Sequence, residues 1–417
     1  MMPFKEFPRL LTFAQLGPLS SIFRRRISFN KVIKRLIGSV IFYLSLLVPR
    51  NNNIWVFGAW NGDKWADNSK YMFLYVSEHH PDVNIVWLSK NKGLIKYLKG
   101  KSLKAVHPYS LKGFYYTLFA KVGFITHSLF DLNAYCTGRM KIVNFWHGIP
   151  LKPVLYSDPK RGTRARVSFK KLLSILFPYY WKDLNYAKML LVTSSDFTRK
   201  IFERVFGTGD IKITGYPRID PLKAGSERPI KNGDIIKGIY LPTYRRENES
   251  NIFDSLKNQI DNLDAYLRRS NIILDIKVHS YEVHEFLLSE KPSNISIIDD
   301  TQPDNEVYQI LKNYSFLISD YSSVIFDYMI LRRPIILAPF DLDEYVLSNG
   351  DFLISYDWLP YPKAKSWSDV MSAIDELKKT GFKISDEQMN FIGYFHLYDD
   401  NKNSERVFEE VVKFIRL

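Results

Sequence analysis

The chain has 417 residues, of which 46% are hydrophobic and 15% aromatic, and this length and composition exclude a small binding module and a disordered chain. Its one cysteine, Cys136, excludes an internal disulfide and a cysteine-rich zinc site and fits a reducing compartment. The net charge of +14 is concentrated in two segments, which argues against a uniformly basic nucleic-acid-binding protein. Residues 1–50 carry nine basic residues and one acid, and residues 160–182 carry seven basic residues and no acid.

Each basic segment continues into apolar and aromatic residues. In the first segment, three consecutive arginines precede an apolar run at residues 36–48, which is shorter than the roughly 20 residues that span a bilayer. The second segment ends in an aromatic stretch at residues 177–181. This pattern is typical of helices in a membrane interface, and it predicts a peripheral protein that docks through residues 1–50 and a patch at 160–182 on the anionic cytoplasmic face of the cell membrane. Two ordinary amphipathic helices with solvated basic faces are the alternative.

Residues 51–222 have the pattern of an α/β domain. Short apolar runs bounded by turn residues predict buried strands, and segments with helical periodicity lie between several of them. Such alternation is typical of a parallel sheet covered by helices. The predicted strands are 53–57, 84–88, 122–126, 141–146 and 189–193, and the predicted helices include 68–79 and 197–206.

A polar stretch at residues 223–234 contains glycine and proline and is predicted to be a linker. The strand and helix pattern then restarts, so residues 235–417 are predicted to form a second α/β domain. Two doubly wound domains that face a central cleft are the fold class implied, with ligands at the carboxyl ends of the strands. The second set of elements comprises strands at 235–241, 272–278, 295–298, 316–319 and 334–337 and helices at 253–269, 282–289, 304–313 and 322–331.

Four polar clusters follow predicted strands, at the sheet edge where parallel strands present ligand-binding groups. Two clusters contain a histidine, one pairs a hydroxyl with a guanidinium suited to phosphate, and one places serines before a helix. Structural histidines, a solvated loop and simple helix capping are the alternatives at these positions. The clusters are His147 with Gly148, Thr243 with Arg245, His279, and Ser322 with Ser323.

Several motifs follow one another along the chain from Trp146 to Arg406. They are Trp146-His147-Gly148-Ile149-Pro150-Leu151-Lys152, Gly215-Tyr216-Pro217-Arg218, Pro242-Thr243-Tyr244-Arg245, the segment from Ser319 to Asp327, Arg332-Arg333-Pro334, and the segment from Asp400 to Arg406. In sequence and in order, these motifs resemble those of the CDP-glycerol glycerophosphotransferase family of teichoic acid and related polymer synthesis.

The resemblance implies a GT-B-like fold, with the acceptor held by the N-terminal domain and the CDP-activated donor by the C-terminal domain. An acceptor hydroxyl attacks the phosphorus that bears glycerol, and CMP leaves. In this scheme His147 is the general base, and His279 protonates or hydrogen-bonds the pyrophosphate. The donor-binding residues implied are Thr243, Arg245, Ser322, Ser323, Asp327, Ser404 and Arg406.

The same reasoning predicts the partners. They are CDP-glycerol or a related CDP-polyol and a lipid-linked polymeric acceptor, with no nucleic acid. No acidic metal motif follows a strand, so no obligatory cofactor is expected, although a diphosphate donor can bring Mg²⁺ from solution. A GT-B glycosyltransferase that uses a nucleotide sugar in capsular polysaccharide assembly is the alternative enzyme. A non-enzymatic membrane-surface scaffold is the alternative from another class.

Overall fold

Two parallel β-sheets, one from each half of the chain, form the frame of the molecule. The structure is a computed structural model. It describes residues 29–157, 175–207, 209–223, 235–243, 245, 256–277, 292–299 and 301–416.

The first sheet has seven parallel strands in the order β3-β2-β1-β4-β5-β6-β7. Its central strands are apolar on both faces, as expected for a parallel sheet that is covered on both sides. Phe57 at the end of β1 lies in register with Trp87 on one side and Phe124 on the other, and all three side chains are buried. The strands are β1 (Asn51–Phe57), β2 (Asn84–Leu88), β3 (Ala105–Val106), β4 (Ala120–Ile125), β5 (Lys141–Asn144), β6 (Met189–Thr193) and β7 (Asp210–Ile213).

Helices with capped N-termini connect these strands. The Asn91 side chain accepts a hydrogen bond from the main-chain N–H of Leu94 at the start of α3, and Ser195 and Thr198 form a reciprocal capping box at the start of α6. The helices are α1 (Phe29–Ser45), α2 (Asp67–His79), α3 (Lys92–Gly100), α4 (Leu111–Phe119), α5 (Pro178–Leu184), α6 (Asp196–Phe206) and α7 (Asp220–Lys223).

The second sheet has five parallel strands in the order β10-β9-β8-β11-β12. Ser319 at the end of β11 lies in register with Leu241 at the end of β8, so the loops after these two strands are neighbours. The strands are β8 (Ile236–Leu241), β9 (Ile272–Ile276), β10 (Ile295–Ile297), β11 (Phe316–Ser319) and β12 (Ile335–Leu337), and the helices are α8 (Ile260–Arg269), α9 (Val307–Ile310), α10 (Val324–Tyr328), α11 (Leu342–Asn349) and α12 (Trp367–Lys379).

The last two helices, α13 (Asp386–Phe395) and α14 (Asn403–Arg416), return to the first sheet. In α13, Phe395 packs edge-on against Phe197, with ring centroids 5.3 Å apart. In α14, Val407 and Val411 are buried in the hydrophobic cluster that contains Trp55. Residues 403–416, which the sequence analysis placed in the second domain, therefore complete the core of the first.

Most predicted elements are present with close boundaries. The bounds of β2, β6 and β11 agree with the sequence analysis, whereas β3 and β7, at the two edges of the first sheet, were not predicted. The continuous helix predicted at 304–313 is wrong, because that segment consists of the short helix α9 between two 3₁₀ turns, Pro303–Asn305 and Leu311–Asn313. The helix predicted at 282–289 and most of the predicted linker at 223–234 lie outside the described residues.

Candidate active site

A cavity of about 750 Å³ opens between the two sheets, at their carboxyl edges. Both domains contribute to its wall. The first contributes the loop after β5, including His147 and Gly148, and the second contributes Thr243 after β8 and Ser322 and Ser323 after β11. The structure thus brings together five residues that the sequence analysis singled out. A pocket of this size at the carboxyl ends of parallel strands is the usual place for a substrate site.

The loop after β5 aims His147 into the cleft. Asn144, the last residue of β5, accepts a hydrogen bond from the Trp146 main-chain N–H at 2.8 Å, and Trp146 has a left-handed φ of 54°. The His147 ring is half-buried and lies 4.4 Å from the Trp146 ring. Burial, followed by the neighbouring ring of His127, lowers the pKa of His147 well below its ordinary value, against the opposing effect of the Thr126 main chain. At neutral pH this histidine is therefore neutral and is able to accept a proton.

Gly148 allows the two domains to approach each other beside His147. A Cβ atom at this position would lie 2.1 Å from the Oγ atom of Ser323 and 2.8 Å from its Cβ atom. No side chain fits in that space without a shift of the main chain, so glycine is required for the close approach. The histidine of one domain and the serines of the other consequently face the same volume.

The two serines lie in the turn before α10 and differ in how they are engaged. The Ser322 Oγ atom accepts a hydrogen bond from the Val324 N–H at a long distance of 3.4 Å. Ser323 occupies the N-cap position, but its side chain makes no capping hydrogen bond. Capping therefore accounts for Ser322 in part and leaves the Ser323 hydroxyl oriented toward the cleft wall formed by Gly148.

The structure places Arg245 among carboxylates. Its guanidinium is buried and makes a bidentate ion pair with Asp341, with two N–O distances of 2.9 Å, and a further bond to Asp320 at 2.9 Å. Burial opposes the charge, but these carboxylates raise the pKa of Arg245 above its ordinary value. Thr243 is held by Asp320, which accepts from both its N–H and its Oγ. Arg245 also donates to the Thr243 carbonyl at 2.6 Å and thus shapes the loop that carries Thr243, so its donors are engaged by two carboxylates and this carbonyl.

Asp327 also has a different place from the one predicted. Its carboxylate is fully buried and accepts hydrogen bonds from Arg218 at 2.9 and 3.2 Å and from the Tyr308 hydroxyl at 2.7 Å. Arg218, which is itself fully buried, also pairs with Asp67 at 2.7 Å. Because Arg218 and Asp67 belong to the first domain and Asp327 to the second, this ion triad joins the domains beside the cavity, which Asp67 also lines.

Ser404 and Arg406 are not brought to the cavity. Ser404, near the start of α14, donates its hydroxyl and its N–H to the Asp220 carboxylate, at 2.6 and 2.8 Å. The Arg406 guanidinium pairs with Asp400 and lies 3.6 Å from the Tyr398 ring. Both side chains anchor the terminal helix in this structure, and their part in a phosphate cradle stays a prediction.

His279, the remaining predicted catalytic residue, lies outside the described residues. Lys277 precedes it by two positions, at the end of β9, and lines the cavity. Two further lysines line the cavity from the first domain, and Glu306 and Tyr308 line it from the second. The sequence analysis did not single out these residues, although Lys152 lies inside a motif that it quoted and Lys277 lies in the predicted strand 272–278. The lysines concerned are Lys64, Lys152 and Lys277.

Within the part of the chain that the structure describes, no group of three or more His, Cys, Asp or Glu side chains is arranged to hold a metal ion. The cationic side chains around the cavity are the groups there that suit an anionic substrate.

Two parallel α/β domains that face a central cleft have the architecture of a GT-B-like fold. Comparison with solved structures agrees on the fold. The wall teichoic acid polymerase TagF matches with a TM-score of 0.71 and 22% identity, over 93% of this chain and 97% of that chain. A TagF variant soaked with CDPG matches with a TM-score of 0.70 and 21% identity, over 93% and 96% of the two chains. The predicted fold class is therefore confirmed.

Sequence comparison gives the family. The chain belongs to the CDP-glycerol:poly(glycerophosphate) glycerophosphotransferase family, which it matches over residues 40–413. The teichoic acid glycerol-phosphate transferase of Staphylococcus aureus is 26% identical, over 92% of this chain and 100% of that protein. The teichoic acid poly(glycerol phosphate) polymerase of Bacillus spizizenii is 25% identical, over 90% and 96%. The resemblance drawn from the sequence motifs is confirmed.

Proposed function

We propose that the protein transfers glycerol phosphate from CDP-glycerol to a hydroxyl of a teichoic acid acceptor and releases CMP. Membership of the glycerophosphotransferase family supports the reaction class. The observation that carries the assignment of residues is the cavity in which His147 of one domain faces Ser322 and Ser323 of the other. Acceptor and donor would then meet where the domains meet.

The proposed chemistry is a direct phosphoryl transfer. The acceptor oxygen forms a bond to the phosphorus that bears glycerol, the bond from that phosphorus to the CMP oxygen breaks, and the acceptor proton passes to His147. A neutral imidazole is required for the last step, and burial keeps His147 neutral. The protein forms no covalent bond to the substrate in this scheme, so it contributes mainly by positioning the reactants and stabilising charge.

The donor diphosphate is assigned to the second domain. The hydroxyls of Ser322 and Ser323 and the ammonium of Lys277 face the cavity from that side, and all three suit phosphate oxygens. His279 is proposed to hydrogen-bond or protonate the pyrophosphate as CMP leaves. The proposal includes no obligatory metal, and Mg²⁺ enters it only as a counter-ion that the diphosphate brings from solution.

Helix α1 supports a peripheral position of the enzyme on a membrane that holds the acceptor. One face of the helix packs on the protein: the Ser39 hydroxyl donates to the Leu176 carbonyl at 2.5 Å, and Phe42 is buried. In the described residues, no helix is long and apolar enough to cross a membrane. The outward face is apolar and continues into exposed Ile175 and Leu176. Its exposed side chains are Ile33, Leu36, Ile37, Val40, Tyr43, Leu44 and Leu47.

An anionic lipid surface is the occupant that this face suits. Apolar side chains enter the interface while neighbouring cations, such as exposed Lys34, meet anionic headgroups. The rest of the predicted basic patch at 160–182 lies largely outside the described residues, and it would add to the attraction. A lipid-linked acceptor at the cytoplasmic face would then be delivered to the cleft of the docked enzyme.

The central experiment measures CMP release from CDP-glycerol, with and without a lipid-linked acceptor. We expect His147→Ala to lower turnover by about 10²-fold or more, with little change in the affinity for CDP-glycerol. His79→Ala, which replaces an exposed histidine outside the cavity, is the matched control and should keep normal turnover. CDP-ribitol and a nucleotide sugar belong in the same panel. Turnover of the nucleotide sugar alone would favour the glycosyltransferase instead.

The membrane proposal has its own test. We expect the double variant Val40→Glu/Leu44→Glu to lose at least 10-fold in binding to anionic vesicles, because two charges would enter the apolar face. Leu347→Glu is the matched control, since Leu347 is equally apolar and 82% exposed but lies on α11 of the second domain. Equal binding of both variants, or equal binding to neutral and anionic vesicles, would contradict the assignment of this face.

A further inference from the structure

Two histidine rings are stacked at the carboxyl edge of the first sheet. His127 follows β4 and His147 follows β5, and these strands are paired in register up to Ile125 and Asn144. The two ring centroids are 4.2 Å apart, and the ring planes differ by 15°. The sequence analysis did not single out His127, and the proposed reaction gives it no role. A parallel imidazole in contact with the proposed base is nevertheless positioned to influence it.

The His127 ring is fixed from several sides. The Trp60 ring lies beside it, with centroids 4.5 Å apart and ring planes 49° apart, and the same indole lies 6.3 Å from the His147 ring. The buried Asp131 carboxylate accepts hydrogen bonds from the main-chain N–H groups of Thr126 and His127, at 2.7 and 2.9 Å. The Thr126 hydroxyl lies 3.1 Å from the His127 Nδ1 atom. This anchoring leaves the stacked ring little freedom to turn.

Only one ring of the stacked pair is expected to be protonated at a time. Two imidazolium cations 4.2 Å apart in a partly buried site would repel each other strongly, so the second protonation is opposed by the first. Burial, followed by the neighbouring His127 ring, lowers the pKa of His147. The charged groups around the pair are Lys64 over Trp60, Lys90 at the Phe130 carbonyl, Asp131, and Arg218 and Lys152 near His147.

We propose that His127 is a positioning residue for His147: its stacked ring fixes the plane of the base, and it takes up the single proton that the pair accommodates as the pH falls. A positive charge on His127 then makes His147 a poorer proton acceptor, so His147 no longer acts as the general base. This inference rests on the proposed function, in which His147 accepts the proton of the acceptor hydroxyl. His127 itself is outside the cavity lining and acts through His147.

The test compares the pH dependence of kcat in three variants. His127→Phe keeps a stacked ring but cannot take a proton, so we expect the acidic limb of kcat to move to lower pH by about one unit, with KM for CDP-glycerol unchanged. His127→Ala removes the stack as well, and we expect its kcat to fall about 10-fold below that of His127→Phe at neutral pH. His80→Phe is the matched control, because His80 also stacks on a ring, Phe408 at 3.5 Å, but lies away from the cavity.

An activity-independent readout accompanies the kinetics. In protein labelled with ¹⁵N-histidine, the signal that His127→Phe removes should titrate at the midpoint of the wild-type acidic limb. Titration of CDP-glycerol binding shows that each variant retains its folded donor site. An acidic limb that does not move in His127→Phe, or equal kcat for the Phe and Ala variants, would overturn the inference while the proposed function stands. Absence of CMP release by the wild-type enzyme would overturn both.

Discussion

Replacement of Arg218 by methionine tests how strongly the buried ion triad holds the two domains together. The guanidinium has no exposed surface and makes ion pairs with Asp67 at 2.7 Å and Asp327 at 2.9 Å. Burial alone would lower the pKa of Arg218, but the carboxylates and neighbouring phenols raise it well above its ordinary value. Arg218→Met removes the only charge in the triad that compensates both carboxylates.

The expected loss is large. Removal of one partner from a buried ion pair costs about 3–5 kcal/mol, and here two buried carboxylates lose their cation, so we expect the upper part of that range. Arg332→Met is the matched control. Arg332 also pairs with an aspartate, Asp399 at 2.6 Å, but its side chain is 51% exposed, and such surface pairs contribute at most about 1 kcal/mol.

Urea unfolding followed by tryptophan fluorescence measures both losses. Arg218→Met should lower the free energy of unfolding by several kcal/mol more than Arg332→Met. The double variant Arg218→Met/Asp327→Asn should regain part of the loss, because one uncompensated buried charge is removed. Equal effects of the two single arginine variants, or no recovery in the double variant, would refute the view that charge pairing at this position joins the domains.

Three further predictions concern other buried positions. Gly148→Ala should lower turnover at least 10-fold in the CMP-release assay, because the added Cβ would lie 2.1 Å from the Ser323 Oγ atom; normal turnover would contradict the close approach. Cys136 is buried, and burial raises its pKa to about 12, so the native protein at pH 8 should resist Ellman's reagent and react fully in urea; fast reaction of the native state would show that the site opens. His396 is buried with its pKa lowered, chiefly by burial, so the unfolded state binds a proton that the native state does not, and stability should fall as the pH drops below about 6.5. His396→Gln should reduce that fall in acid-unfolding curves, and an unchanged curve would contradict the assignment.

The sequence was sufficient for most of the buried strands and for the polar clusters at their ends. Buried parallel strands are continuous apolar runs, so strands such as β2, β6 and β11 were predicted with the boundaries observed. Residues that directly follow such strands must lie at the carboxyl edge of the sheet. This is why His147, Thr243, Ser322 and Ser323 could be placed in one cleft before any contact was known.

Only the tertiary structure decided which polar side chains face the cavity and which are used by one another. Arg245 and Asp327 have residue types that suit phosphate binding and orientation, yet the first pairs with Asp320 and Asp341 and the second with Arg218. Arg218 and Asp327 are far apart in the sequence and meet because the two domains face each other. The local sequence pattern around a residue does not indicate an ion-pair partner that is distant in the sequence.

The same limit applies to α14 and to the histidine pair. The helix at residues 403–416, which the sequence analysis did not predict, buries its apolar face on the first sheet, and that choice depends on the path of the whole chain. His127 and His147 stack because β4 and β5 are neighbours in the sheet, an order that the sequence does not state. The sequence alone thus determined the elements, the family and the edge that bears the site, because these follow from local periodicity and motifs. The domain contacts, the buried ion pairs and the surroundings of the proposed base depended on long-range packing.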